Sequence, residues 1–96
     1  MFLEKYLSEV KFNLLLDTYE DFYLNDLDEV NFLEIYNLFK KYNFYFVDDI
    51  ILNYLEIFFM DSSEVEDKIL DLKDKLGDKF NYKIGNDMRF LESILD

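Results

Sequence analysis

Adjacent carboxylates are the residues of this sequence whose type and spacing could do chemistry. Two carboxylates side by side can bind Mg²⁺ or Ca²⁺, or act together as a general acid and a general base. Acidic residues also serve at the start of helices, where they accept hydrogen bonds from free backbone N–H groups and suit the helix dipole. The adjacent pairs are Glu20-Asp21, Asp28-Glu29 and Asp48-Asp49.

The residue types that most catalytic and metal sites require are missing from the chain. It has no histidine and no cysteine, which excludes Ser-His-Asp and Cys-His nucleophilic sites and zinc sites built from those residues. Its two glycines, Gly77 and Gly85, are too far apart for a phosphate-binding loop, and residues 17–28 lack the central glycine of an EF-hand. We therefore predict that the protein is not an enzyme and has no metal site and no cofactor.

The negative charge of the chain is concentrated in its middle. The 96 residues have a net charge of −12, and residues 12–67 account for all of it, with fourteen carboxylates against Lys40 and Lys41. The flanking segments, 1–11 and 68–96, are each balanced. Like charges without partners destabilise a fold by repulsion, so we interpret the middle segment as a contact surface for a basic partner. The alternative is that these acids only keep the protein soluble.

The predicted contacts lie mainly between Lys11 and Lys40, because that stretch has no cation. Tyrosines beside carboxylates suit an arginine-rich partner through hydrogen bonds and cation–π contacts. The same charge disfavours direct binding of nucleic acid, whose phosphates would be repelled. The predicted partner-binding residues are Asp17, Tyr19, Glu20, Asp21, Tyr23, Asp26, Asp28, Glu29, Glu34, Asp48 and Asp49.

The elements that must position these residues are helical. Apolar residues recur at helical spacing along the chain, and no Pro/Gly/Ser linker divides it. We predict an all-α fold, an irregular bundle of four to six short helices in a single domain spanning residues 1–96. Residues 80–84 alternate apolar and polar, so they are predicted as one short strand or an extended connector.

Capping residues set the predicted helix boundaries. The first helix covers residues 2–16, with Leu3, Leu7, Val10 and Leu14 as its apolar stripe. Later helices begin after a capping residue, and the fourth ends at a glycine. The predicted boundary residues are Asp26, Asp48, the Ser63 and Glu66 capping box, Gly77 and Asn86. The third helix carries both Ile50 and Phe59, and the predicted core is Ile50, Ile51, Tyr54, Leu55, Phe58, Val65, Ile69 and Leu72.

The composition also carries a resemblance to a known class of proteins. Alanine, proline and tryptophan are absent, whereas Lys, Asn, Ile, Phe and Tyr are abundant, which indicates a very AT-rich gene. A small, acidic, tyrosine-rich chain without catalytic residues resembles, in overall character, the phage-encoded inhibitors of bacterial defence systems, including anti-CRISPR proteins. Some proteins of that class mimic nucleic acid. The resemblance implies inhibition of an enzyme that handles nucleic acid.

Two functional hypotheses follow. The first is a non-enzymatic binding protein that docks on a basic surface of a larger protein, a nucleic-acid-binding enzyme being the expected partner class. The second is a structural protein in which the surplus aromatic residues form a homodimer. Neither involves a membrane, and we expect a cytoplasmic protein, because the chain starts without a signal-peptide pattern and has no long uncharged run.

Overall fold

The computed structural model describes residues 1–96, and every regular element in it is helical. The predicted all-α fold is confirmed, with seven α-helices where four to six were predicted. Three short 3₁₀ segments accompany the α-helices: Phe2–Lys5 precedes the first of them, and Leu55–Phe59 and Met88–Leu91 lie between later ones. The α-helices are α1 (Glu9–Thr18), α2 (Asp21–Asn25), α3 (Glu29–Lys41), α4 (Val47–Asn53), α5 (Ser62–Leu76), α6 (Phe80–Asn86) and α7 (Glu92–Leu95).

A single apolar core holds these helices together. Its 22 buried residues are all hydrophobic, and no polar or charged side chain is buried. Phe32 of α3 lies at its centre, where its ring contacts those of Phe2, Tyr6, Tyr36 and Phe58 at centroid distances of 4.9–5.8 Å. The predicted core is confirmed for Ile50, Ile51, Leu55, Phe58, Val65, Ile69 and Leu72, whereas Tyr54 is only half-buried.

The end of α3 shows how local backbone chemistry directs the chain into this core. Asn43 adopts a positive φ of 64°, which Asn tolerates better than most residues. The Asn43 N–H donates to the Lys40 carbonyl at 3.0 Å, and the Phe44 N–H donates to the Phe39 carbonyl at 2.9 Å. This is the Schellman arrangement, and the Phe39 and Phe44 rings supply its apolar contact, with centroids 5.1 Å apart.

The end of α5 is confirmed at Gly77, which has φ 87° and ψ −168°. That region of backbone conformation is nearly exclusive to glycine. We expect Gly77→Ala to lower the free energy of unfolding by about 1–3 kcal/mol, because an added side chain strains this backbone. No atom lies within 4 Å of the position of the new methyl group, so steric overlap adds nothing. Urea unfolding monitored by circular dichroism measures the change. Asp78→Ala is the control, and equal stability of the two variants would contradict the prediction.

The prediction of a strand or connector at residues 80–84 is wrong, because Phe80–Asn86 is helix α6. Phe80 and Ile84 are buried and lie one helical turn apart, whereas Tyr82 between them is 59% exposed. Residues at i and i+4 share a face in a helix, and in a strand they share a face as well. The alternation therefore fitted both structures, and packing against the core favours the helix.

Several predicted helix boundaries are wrong by a few residues. The first helix does not run through residues 2–16, because the 3₁₀ segment ends at Lys5 and α1 begins after its N-cap, Ser8. Val10 and Leu14, expected on the buried stripe, are 70% and 51% exposed. The stretch predicted as one helix around Ile50–Phe59 is divided at Tyr54 into α4 and a 3₁₀ segment.

The N-caps differ from prediction in the same way. Asp28, not Asp26, caps α3, and Asp61, not Ser63, caps α5. Phe46 precedes α4, so Asp48 lies inside its first turn, and Asp87 replaces Asn86 before the 3₁₀ segment at Met88. Only the residue directly before the first helical residue can cap a helix, and this sequence offers neighbouring acidic or polar candidates at several starts.

Candidate protein-interaction surface

Most of the predicted contact residues lie along the corner where α1, α2 and α3 follow one another. Asp17 is in the last turn of α1, Glu20 and Asp21 start α2, Asp26 ends it, and Glu29 is in the first turn of α3. All five side chains are exposed. They belong to a continuous stretch of chain on one corner of the molecule.

Part of this corner forms a cleft of about 380 Å³, which we call the acidic cleft. It lies between the connection from α2 to α3 and the connection from the second 3₁₀ segment to α5. Asp26, Asp28 and Asp61 supply its charge, and no cation lies within salt-bridge distance of any of them. Its lining residues are Asp26, Asp28, Asn31, Phe58, Phe59, Met60 and Asp61.

One side chain holds the two connections around the cleft together. The Nδ2 of Asn31 donates to the backbone carbonyl of Phe58 at 2.9 Å and to that of Met60 at 2.8 Å. One turn further along α3, the carboxylate of Glu34 accepts from the Ser62 hydroxyl at 2.9 Å. The starts of α3 and α5 therefore lie side by side, which brings Asp61 beside Asp28.

The three carboxylates of the acidic cleft are not equivalent. The Asp28 carboxylate accepts from the Val30 N–H at 3.1 Å and so caps α3. The Asp61 carboxylate caps α5, and hydrogen bonds from the Ser63 hydroxyl and N–H hold its pKa below the ordinary value. Asp26 follows α2, and its carboxylate has no hydrogen-bond partner in the protein. Two of the acids therefore also stabilise helix ends, and Asp26 has no such role.

Aromatic rings continue from the cleft towards α1. Phe59, which lines the cleft and is 37% exposed, contacts the Tyr23 ring at a centroid distance of 4.9 Å. Tyr23 stacks on Tyr19 with centroids 5.5 Å apart and planes inclined by 12°. Partial burial, together with the negative charge of Glu56, raises the pKa of both tyrosines. We call Tyr19, Tyr23 and Phe59 the aromatic ladder, and it places aromatic faces beside carboxylates.

Asp48 and Asp49 lie apart from the acidic cleft. Both face Lys11 of α1: its Nζ contacts the Asp48 carboxylate and is 3.6 Å from that of Asp49. The hydrogen bond that the Lys11 ammonium donates to the Asp48 carboxylate raises the pKa of Lys11. Partial burial acts to raise the pKa of Asp48, but the hydrogen bond and charge of Lys11 outweigh it and hold that pKa below the ordinary value. These two acids join α4 to α1.

Nothing in the sequence distinguished Asp61 from the other acids, because it is more than thirty residues from Asp28 in the chain. Only the pairing of α3 with α5 brings it into the cleft. The same holds for Phe59, whose place beside Tyr23 depends on the break at Tyr54. The stacking of Tyr19 on Tyr23 had no helical signal either, because the backbone is extended at Tyr19 and Glu20, between α1 and α2.

Most carboxylates of the middle segment are without a cation. Of the fourteen in residues 12–67, Asp48, Asp49 and Glu66 form salt bridges, and the other eleven form none. Glu66 accepts from the Tyr42 hydroxyl at 2.7 Å and from the Lys41 Nζ at 3.1 Å. The folded protein therefore does not neutralise the surplus charge, which stays on its surface.

This surplus predicts that salt stabilises the free protein. We expect the melting temperature to rise by a few degrees between about 0.1 M and about 1 M NaCl, because the Debye length falls from about 10 Å to about 3 Å. Differential scanning calorimetry measures it. A variant with Glu20→Gln, Asp26→Asn and Glu29→Gln has less repulsion between its carboxylates, so its melting temperature should rise less with NaCl. A melting temperature that does not respond to NaCl would contradict the prediction.

Comparison with protein-family models, with curated proteins and with solved structures finds no match. The carboxylates are arranged too widely for any three of them to hold a metal ion together. None of the helices combines the length and the hydropathy that crossing a membrane requires.

Proposed function

We propose that this protein is a non-enzymatic inhibitor that docks its acidic corner on a basic surface of a larger protein, and that the partner is an enzyme that handles nucleic acid. The observation that carries the proposal is the acidic cleft. Three carboxylates without a cation line this cleft together with Phe58, Phe59 and Met60, and the partly exposed ring of Phe59 contacts that of Tyr23. A basic side chain entering this cleft would meet charge, hydrogen-bond acceptors and a ring face together.

Arginine is the side chain that fits this combination best. Its planar guanidinium donates several hydrogen bonds to carboxylates and also stacks on aromatic faces. Asp26 has an unused carboxylate, and Phe59 presents part of its ring to the same cleft.

The charge distribution supports a partner that normally binds nucleic acid. Duplex DNA presents one negative charge per about 1.7 Å of its axis, and the grooves that hold it are lined with cations. This protein has a net charge of −12, all of it contributed by residues 12–67, so a groove lined with cations would attract it. Docking would relieve the repulsion in the free protein, so association should be fast at low salt and weaken steeply as salt rises.

The test compares two variants with equal net charge. Glu20→Gln, Asp26→Asn and Glu29→Gln neutralise exposed acids of the corner and leave the caps Asp28 and Asp61 in place. The control neutralises Asp71, Asp74 and Asp78, which are exposed in the charge-balanced C-terminal segment. Binding is measured by biolayer interferometry against a panel of immobilised nucleases and other nucleic-acid-binding enzymes, with duplex DNA as the competitor.

We expect the corner variant to bind about tenfold more weakly than the wild type, and the control to bind like the wild type. Duplex DNA should displace the wild-type protein from the partner. Equal binding by the corner variant and the control would show that only net charge matters, and the proposal would be wrong. A wild-type protein that sediments as a dimer and binds no panel member would favour the homodimeric scaffold instead.

A further inference from the structure

Helix α1 leaves apolar side chains exposed next to the acidic corner. Its only fully buried residue is Leu15, whereas Val10, Leu14 and Leu16 are 70%, 51% and 40% exposed. Single exposed apolar residues are ordinary. Val10 and Leu14 share one face of α1, whereas Leu16 lies on another face together with Phe12, and that second face borders α2.

A groove of about 190 Å³ lies beside this helix, between α1 and α2. Phe12, Leu16 and Leu24 line it together with Met1, so its walls are apolar. Asp21 and Asn25 of α2 form its polar edge. The groove is large enough for one large apolar side chain. It is separate from the acidic cleft, with which it shares no lining residue.

Charge complementarity determines what can occupy the groove. Asp21 lies at its edge, Asp17 and Glu20 are its exposed neighbours in sequence, and none of the three has a salt bridge. A second copy of the chain would bring another twelve negative charges to this surface and be repelled. The apolar walls favour an occupant with an apolar side chain, and the unpaired acids at the edge favour one with cations.

We propose that the groove binds a cationic amphipathic helix of the partner. One apolar side chain of that helix would enter between Phe12, Leu16 and Leu24, and lysines or arginines beside it would face Asp17 and Asp21. This is recognition of a helix by an apolar groove. The inference rests on the proposed function, because it requires a cationic partner. It adds the requirement that the partner also has an apolar side chain that enters the groove.

Two synthetic peptides of about 18 residues distinguish the requirement for cations from the requirement for an apolar side chain. The first is an amphipathic helix of leucine and lysine, and the second replaces every leucine with glutamine and keeps the charge. Their affinities are measured by isothermal titration calorimetry for the wild type, for Leu16→Asn and for Leu70→Asn. Leu70 is the matched control because it is also 40% exposed, but on α5. Methyl NMR of the wild type locates the contact.

The leucine peptide should bind the wild type about tenfold or more tightly than the glutamine peptide, which corresponds to burial of about one leucine side chain. Leu16→Asn should remove that difference, Leu70→Asn should keep it, and the methyl shifts should centre on Leu16 and Leu24. Equal binding of both peptides would overturn the apolar anchor and leave the proposed function standing. Binding of neither peptide would overturn the groove proposal, whereas the proposed function is tested separately, by the binding of the corner variant and its control to the enzyme panel.

Two further results would also overturn the groove proposal. Methyl shifts that centre on residues outside the groove would place the peptide elsewhere. A wild-type protein that sediments as a dimer, and becomes monomeric on Leu16→Asn, would show that a second copy occupies the groove. Thermal unfolding of each variant establishes that it is folded before its affinity is compared.

Discussion

Phe32→Ala should lower the free energy of unfolding by about 3–5 kcal/mol. Phe32 is fully buried and packs against four other rings, so its removal leaves a cavity that the surrounding helices cannot close completely. A small domain has a total stability of about 5–15 kcal/mol, so this variant loses a large share of it. Urea unfolding, followed by circular dichroism and tyrosine fluorescence, gives the value.

Phe22→Ala is the matched control for this prediction. Phe22 is 68% exposed on α2, so truncation should change the free energy of unfolding by no more than about 0.5 kcal/mol. If Phe32→Ala does not fold, Phe32→Leu keeps most of the buried volume and should cost about 1–1.5 kcal/mol. A loss below about 1 kcal/mol for Phe32→Ala would contradict the central place of this ring in the core.

Local signals in the sequence were sufficient for much of the fold. The stripe of Val65, Ile69 and Leu72 and the glycine at position 77 predict α5 and its end correctly, because periodicity and the C-terminal stop agree there, whereas its N-cap lies two residues earlier than predicted. The region of α1 is different. Leu14, Leu15 and Leu16 are consecutive, so the sequence does not show which of them faces the core. Tertiary contacts determine that Leu15 is the buried one.

The acidic cleft could be predicted only in part. The corner from Asp17 to Glu29 is continuous in sequence, so its charge was visible without a structure. Asp61 and Phe59 reach the cleft through the packing of α5 beside α3, which depends on contacts across about thirty residues. The salt bridge between Lys11 and Asp48 is of the same kind. Lys11 belongs to the balanced segment 1–11 and Asp48 to the acidic segment 12–67, so the charge balance of the segments does not reveal their salt bridge.

Asn31→Asp should be the most informative single substitution at the cleft. The Asn31 amide donates to two carbonyl oxygens, of Phe58 and Met60, at 2.9 and 2.8 Å. A carboxylate can only accept hydrogen bonds, so it would leave both carbonyls without a donor and face them with a negative charge. It would also stand among the carboxylates that line the cleft. We expect the free energy of unfolding at neutral pH to fall by about 2–4 kcal/mol.

The loss of stability caused by Asn31→Asp should depend on pH and be largest at neutral pH. Like charges and missing donors raise the pKa of the introduced carboxyl group in the folded state above the value of about 3.9 that it has in the unfolded chain. The penalty is therefore complete above the folded pKa and decreases as the pH falls through it, because a protonated carboxyl can donate one hydrogen bond again. The stability difference between variant and wild type should shrink on acidification.

Asn37→Asp provides the matched control, since Asn37 is an exposed residue of the same helix. It should change the free energy of unfolding by no more than about 0.5 kcal/mol at any pH. Urea unfolding of the three proteins at several pH values between about 4 and 7 measures both effects. A loss for Asn31→Asp that is constant with pH would mean that charge is not its cause. No loss at all would mean that the Asn31 amide does not hold the starts of α3 and α5 together, and the acidic cleft would then lack its structural support.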